Sequence, residues 1–188
     1  MRGAGTGPES FETICGLLHT PAKQRVVLGT GCFDLIHIGH LYFLEQASSQ
    51  GDVLVIGVNS DRSVREIKGP SRPVVGELER ARLVAALRWV DHVFVYDETV
   101  ADSQIRALRP DVYVTGAESV TGYPSELVAA GEAGVRVHVI DRLAAYSTTS
   151  TLDDVDRRHL AHRHGCAPDP RQPGSLPATT PAMEQPQH

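Results

Sequence analysis

Five short apolar runs rich in β-branched residues punctuate the chain: VVLGT (26–30), DVLVIGVN (52–59), HVFVY (92–96), DVYVTG (111–116) and VRVHVI (135–140). Their length and their Gly, Pro and Asp borders predict strands buried on both faces. Between them the apolar spacing changes to three and four. It predicts helices over 41–50, ended by Gly51, over 60–67, over 77–90, over 101–108 and over 123–134. Upstream, Phe11, Ile14, Leu17 and Leu18 share one face of a short helix within 11–22. Downstream, a last helix is expected over 147–163, with Ser150 and Asp153 at capping-box spacing. Strands alternating with helices imply an α/β fold, a five-stranded parallel sheet with helices on both faces and right-handed crossovers.

The 188 residues suffice for one domain with its own core. Three stretches are expected: an N-terminal extension with a short helix (1–24), a single α/β domain (25–163) and a tail (164–188). Six of the twelve prolines fall after Ala167, which predicts a disordered tail. A net charge of −5 argues against a nucleic-acid partner, which leaves a basic footprint. No apolar run approaches the roughly 20 residues of a membrane helix. The N-terminus has no signal-peptide pattern, and Cys15, Cys32 and Cys166 make no disulfide framework. A cytoplasmic protein with no membrane partner is the expectation. Only Lys23 and Lys68 among the 18 basic residues are lysines, so each lysine invites a reason.

The chemistry concentrates in GTGCFDLIHIGH (29–40), directly after the first strand. In an open parallel sheet this first turn is where backbone N–H groups meet a ligand. Its glycines would let the backbone approach phosphate. His37 and His40, three apart, would face one way on a helical turn. They could donate hydrogen bonds to a charged transition state. The alternatives are a glycine-rich turn with a capping histidine, or a metal pair, which lacks a nearby third ligand. Asp34 could hydrogen-bond the turn or touch an acceptor, and Arg80 could pair with Glu77 or Glu79 on a solvated helix face. His159, His162, His164 and Cys166 match no common zinc spacing.

GCFDLIHIGH resembles the signature of the HxGH-motif nucleotidyltransferases, the cytidylyltransferase-like superfamily. The resemblance runs over roughly residues 25–158. GDVLVIGVNSDRSVREIKGPSRPVV (51–75), ELERARLVAALRWVDHVFVYDET (77–99), RPDVYVTG (109–116) and YSTT (146–149) are most similar to the heptose 1-phosphate adenylyltransferase branch. That branch usually carries Lys before the Gly of the fourth-strand landmark; here Thr115 stands there.

The resemblance implies a Rossmann-like domain that transfers a nucleotidyl group from a nucleoside triphosphate to a phosphorylated small-molecule acceptor, releasing pyrophosphate. It implies catalytic roles for His37, His40 and Lys68, the last on a mobile loop. It implies nucleotide contacts from Thr30, Cys32, Phe33, Arg80, Val114, Thr115, Gly116, Ser147, Thr148 and Thr149. Asp34 and Lys68 are candidates for the acceptor. ATP with a heptose 1-phosphate-like acceptor is the first expectation. CTP with a polyol phosphate, sugar phosphate or phosphonate is the second, and a non-catalytic nucleotide-binding module the third. Mg²⁺ bridging the phosphates is the expected cofactor, and relatives of this kind often pair as homodimers.

Overall fold

The computed structural model describes residues 7–18 and 24–141. The helix expected over 147–163, Ser147, Thr148 and Thr149, the cluster at 159–166 and the tail lie outside these residues.

The five apolar runs are strands β1 (Val26–Gly31), β2 (Val53–Asn59), β3 (His92–Tyr96), β4 (Val112–Gly116) and β5 (Arg136–Ile140). They form one wholly parallel sheet in the order β3-β2-β1-β4-β5. The sheet explains the continuous apolar runs, because alternate residues feed two separate cores. Val27, Leu54, Ile56, Val58, Val93, Val112 and Val114 pack on one face, against α2 (Ile38–Ser48) and α4 (Glu77–Ala85). Val26, Leu28, Val53, Val55, Phe94 and Tyr113 pack on the other, against α1 (Phe11–Leu18), α5 (Asp102–Leu108) and α7 (Pro124–Ala133). An aspartate precedes three of the strands and anchors a neighbour's start. Asp111 accepts from Val26 N–H at 2.7 Å, Asp91 from Leu54 N–H at 2.8 Å and Asp52 from Arg25 N–H at 2.8 Å.

The elements depart from the sequence expectation at instructive places. α2 starts three residues early, because His37 itself is the N-cap: its Nδ1 accepts from Gly39 N–H at 3.1 Å. α4 stops at Ala85, with Ala86 as C-cap, rather than running to Val90. Lys68 is the last residue of α3 (Asp61–Lys68), not part of a loop. A short helix α6 (Ala117–Gly122) follows β4, where polar, small residues gave no apolar period to read.

Strand order reverses direction beside β1, since β2 and β3 lie to one side and β4 and β5 to the other. A crevice beyond the carboxyl ends of β1 and β4 is the usual ligand position in such a sheet.

Candidate active site

Two different structures occupy that end of the sheet. The first is the turn from β1 into α2. Phe33 takes a left-handed backbone conformation, φ 48°, uncommon for a non-glycine residue and typical of strained functional turns. Its ring is buried and lies 5.2 Å from the His40 ring and 6.5 Å from Phe43. Gly29 and Gly31 leave room for this packing. A Cβ on Gly31 would sit 3.1 Å from the Phe33 ring, and one on Gly29 3.1 Å from Ile56 and 3.3 Å from Phe43.

The His37 and His40 rings stack, with centroids 3.9 Å apart and planes 29° apart. Because His37 Nδ1 accepts the Gly39 N–H, the neutral ring carries its proton on Nε2. His40 Nδ1 is buried without a hydrogen-bond partner, which in a native site asks for a ligand. Burial first, then the neighbouring His37 and the Lys68 charge, push the His40 pKa down from its usual 6.5 to about 3. His40 is therefore a neutral hydrogen-bonding group at physiological pH.

Asp34 and Arg80 form a clamp behind the turn. The Asp34 side chain is fully buried and pairs with Arg72. It also accepts the N–H groups of Val74 at 2.7 Å and Val75 at 3.1 Å. Arg80 is fully buried as well. Its Nε donates to the Val75 carbonyl at 2.8 Å, its Nη1 to the Cys32 carbonyl and its Nη2 to Asp61 at 2.8 Å. Asp61 N–H in turn donates to Glu77 at 2.7 Å. Asp34 and Arg80 are both spent on protein partners, and Arg80 pairs with Asp61 rather than with Glu77 or Glu79. Together they bolt the 32–34 turn to the 72–75 loop and to the starts of α3 and α4, which fixes where α3 delivers Lys68.

The second structure is a cleft of about 390 Å³. Thr30, Cys32 and Thr115 line it, with the exposed Lys68 at the end of α3. The Lys68 charge acts on both His40 and Cys32. Burial raises the Cys32 thiol, which contacts Asn59 Oδ1 at 3.7 Å, so it is a poor nucleophile at neutral pH. Val114 does not line the cleft: its side chain is buried in the core. Gly116 ends β4 and caps α6.

Sequence reasoning missed the residues beneath this cleft. Tyr113 donates to Glu126 Oε2 at 2.6 Å, and Thr30 Oγ1 lies 3.0 Å from the Tyr113 hydroxyl. Ala101 N–H donates to Glu126 Oε1 at 2.9 Å. Burial raises the Glu126 carboxyl and, still more, the Tyr113 phenol. A hydroxyl inside the otherwise apolar strand VYVTG was the available signal, since buried tyrosines find partners.

No group of three His, Cys, Asp or Glu able to hold a metal ion occurs among the described residues. Nor is any described helix long and apolar enough to cross a membrane.

The cytidylyltransferase-like family matches residues 28–152. Bifunctional protein HldE of Koribacter versatilis is 47% identical over 133 residues, 69% of this chain and 27% of that protein. The proteins of the same name from Syntrophotalea carbinolica and Helicobacter pylori strain HPAG1 are 43% and 39% identical, covering 72% and 73% of this chain. The chain thus spans under a third of the length of these relatives. Among solved structures, a lipopolysaccharide core biosynthesis protein from Thermoplasma volcanium superposes with a TM-score of 0.51 at 24% identity, over 63% of this chain and 96% of that one. Pantothenate synthetase from Thermus thermophilus superposes with a TM-score of 0.53 at 17% identity, over 83% of this chain and 74% of that one. These two likenesses bear on the fold, which is Rossmann-like. With the histidine turn, the parallel sheet and a family match over most of its length, the chain belongs to the cytidylyltransferase-like nucleotidyltransferases.

Proposed function

We propose that this protein transfers AMP from ATP to a sugar phosphate of the heptose 1-phosphate kind and releases pyrophosphate. The observation that carries this reading is the stacked His37–His40 pair, with its buried, unpartnered His40 Nδ1 beside the Lys68 charge. The likeness to the HldE proteins and the VNSD and KGPSRPV stretches favour ATP and the heptose phosphate.

The acceptor's phosphate oxygen attacks the α-phosphorus, and the bond to the β-phosphate bridging oxygen breaks in line. A phosphate monoester is already anionic, so positioning and charge stabilisation do the work rather than a protein nucleophile. His37, held by Gly39 with its proton on Nε2, donates to the oxygens that gain charge. His40 supplies a second neutral imidazole. Lys68 offsets charge between triphosphate and acceptor phosphate. The carboxylates nearest the turn, Asp34 and Asp61, are engaged by Arg72 and Arg80. Magnesium therefore enters as the Mg²⁺–triphosphate substrate, held by phosphate oxygens and water.

The test is pyrophosphate release with Mg²⁺ from ATP, CTP, GTP and UTP, each paired with heptose 1-phosphate, glycerol 3-phosphate and a small phosphonate. Release with ATP and the heptose phosphate is the expected result. Release only with CTP keeps the mechanism and replaces the substrate; no release with any pair contradicts a catalytic role.

A further inference from the structure

The hydrogen-bond network under the cleft has a direction, and that direction specifies a ligand. Ionised Glu126 can only accept, and it takes the Ala101 N–H on Oε1 and the Tyr113 hydroxyl proton on Oε2. Tyr113 has no second proton, so Thr30 must donate to it across the 3.0 Å contact. Thr30 has then spent its only proton. Asn59 is in the same position: its amide N–H groups go to Ser63 Oγ at 3.0 Å and to the Glu98 carbonyl at 3.2 Å. Thr30, Tyr113 and Glu126 line the cleft, and the network leaves none of them a proton to offer it.

Resting on the transferase reading above, we propose that this acceptor-only floor, set by Glu126, binds the hydroxyl-bearing body of the sugar phosphate. Glu126 is a positioning residue, acting largely through Tyr113 and Thr30. A ligand group that meets this floor must donate hydrogen bonds to it. A triphosphate cannot, and the Glu126 carboxylate repels it. Three donor classes remain, polyols, ammonium groups and the amino group of a nucleobase, the last separated by the ATP measurement below. The cleft favours the polyol: about 390 Å³ lies in the range that encloses a whole small ligand. Thr99, Thr115, Ser119 and Tyr123 add further hydroxyl groups around it. The position where related heptose enzymes carry Lys holds Thr115, which leaves Lys68 as the cation lining the cleft among the described residues and so places the ligand's phosphate at that end.

Glu126→Gln is nearly isosteric and reverses the network. The Gln carbonyl must keep accepting from Ala101, so its amide donates to Tyr113, Tyr113 donates to Thr30, and Thr30 turns its proton into the cleft. Dissociation constants for heptose 1-phosphate, ATP and inorganic phosphate are compared by calorimetry for wild type, Glu126→Gln and Tyr113→Phe. The expected result is that both variants weaken heptose 1-phosphate by about tenfold or more, one to two hydrogen bonds' worth, while ATP and inorganic phosphate bind as before. Unchanged sugar phosphate affinity in the variants overturns the inference, as does equal weakening of all three ligands. It also falls if aminoethyl phosphate binds wild type more tightly than the sugar phosphate. Selective loss in the variants, with no pyrophosphate released by wild type, sinks the transferase reading and upholds the polyol site.

Discussion

Two regions flank the first turn of the sheet, and both drew attention as ligand contacts because they carry charged or ionisable side chains. The Asp34–Arg80 clamp is fully buried, with its carboxylate oxygens and guanidinium nitrogens spent on partners within the protein. The His37–His40 pair, a few residues along, retains a buried nitrogen with no partner. Burial and charge alone do not separate the residues that build a site from those that act in it. Hydrogen-bonding capacity left over does.

Removing one member of the clamp gives the largest expected effect. Arg80→Leu leaves Asp61 and two backbone carbonyls without their donor, and Asp34→Ala leaves Arg72 and two N–H groups stranded. Each loses about 3–5 kcal/mol of folding stability by denaturant titration, the usual cost of breaking a buried pair. The comparison breaks if either variant unfolds like wild type.

The histidines respond differently. His40→Asn slows turnover by about 100-fold or more, the scale of a lost donor in a charged transition state, with ATP affinity affected less. Stability reports the same ring through pH. The unfolded chain takes up a proton on His40 near its usual 6.5, while the folded protein resists protonation until about pH 3. Its contribution is complete above pH 6.5 and is lost as pH falls from there towards 3. A pH series of unfolding free energies for wild type and His40→Asn should converge across that window. A pH-independent difference contradicts the burial of a neutral His40.

Lys68 gives the smallest structural effect. It is exposed at the end of α3, so Lys68→Met melts like wild type and raises the KM of a phosphorylated substrate about tenfold, one charge-assisted hydrogen bond. A drop in melting temperature instead would return Lys68 to the scaffold.

The sequence carried the sheet well, because burial on both faces leaves an unbroken β-branched run that no other arrangement explains. It carried the histidine turn for a similar reason, as His37 and His40 are local to one another. What it hid is tertiary. ELERARL reads as a solvated helix face, yet Arg80 points inward to Asp61, nineteen positions back. Glu126 reads as an ordinary acid in the first turn of α7, yet its partners are Tyr113 and Ala101 on other elements. Histidine is outside the common capping residues, so α2 was read as starting late. Ser147, Thr148 and Thr149 lie outside the described residues, and their phosphate role stands as an expectation.

His37→Asn tests the division between building and acting most directly. Asparagine is among the best N-caps, so its side-chain oxygen can take over the Gly39 N–H and preserve α2, but it removes the Nε2 donor. The measurement is single-turnover pyrophosphate release beside thermal melting. The account predicts an unchanged melt and a rate at least about 100-fold slower. A wild-type rate in a normally folded His37→Asn protein would contradict it, leaving His37 a helix cap and nothing more.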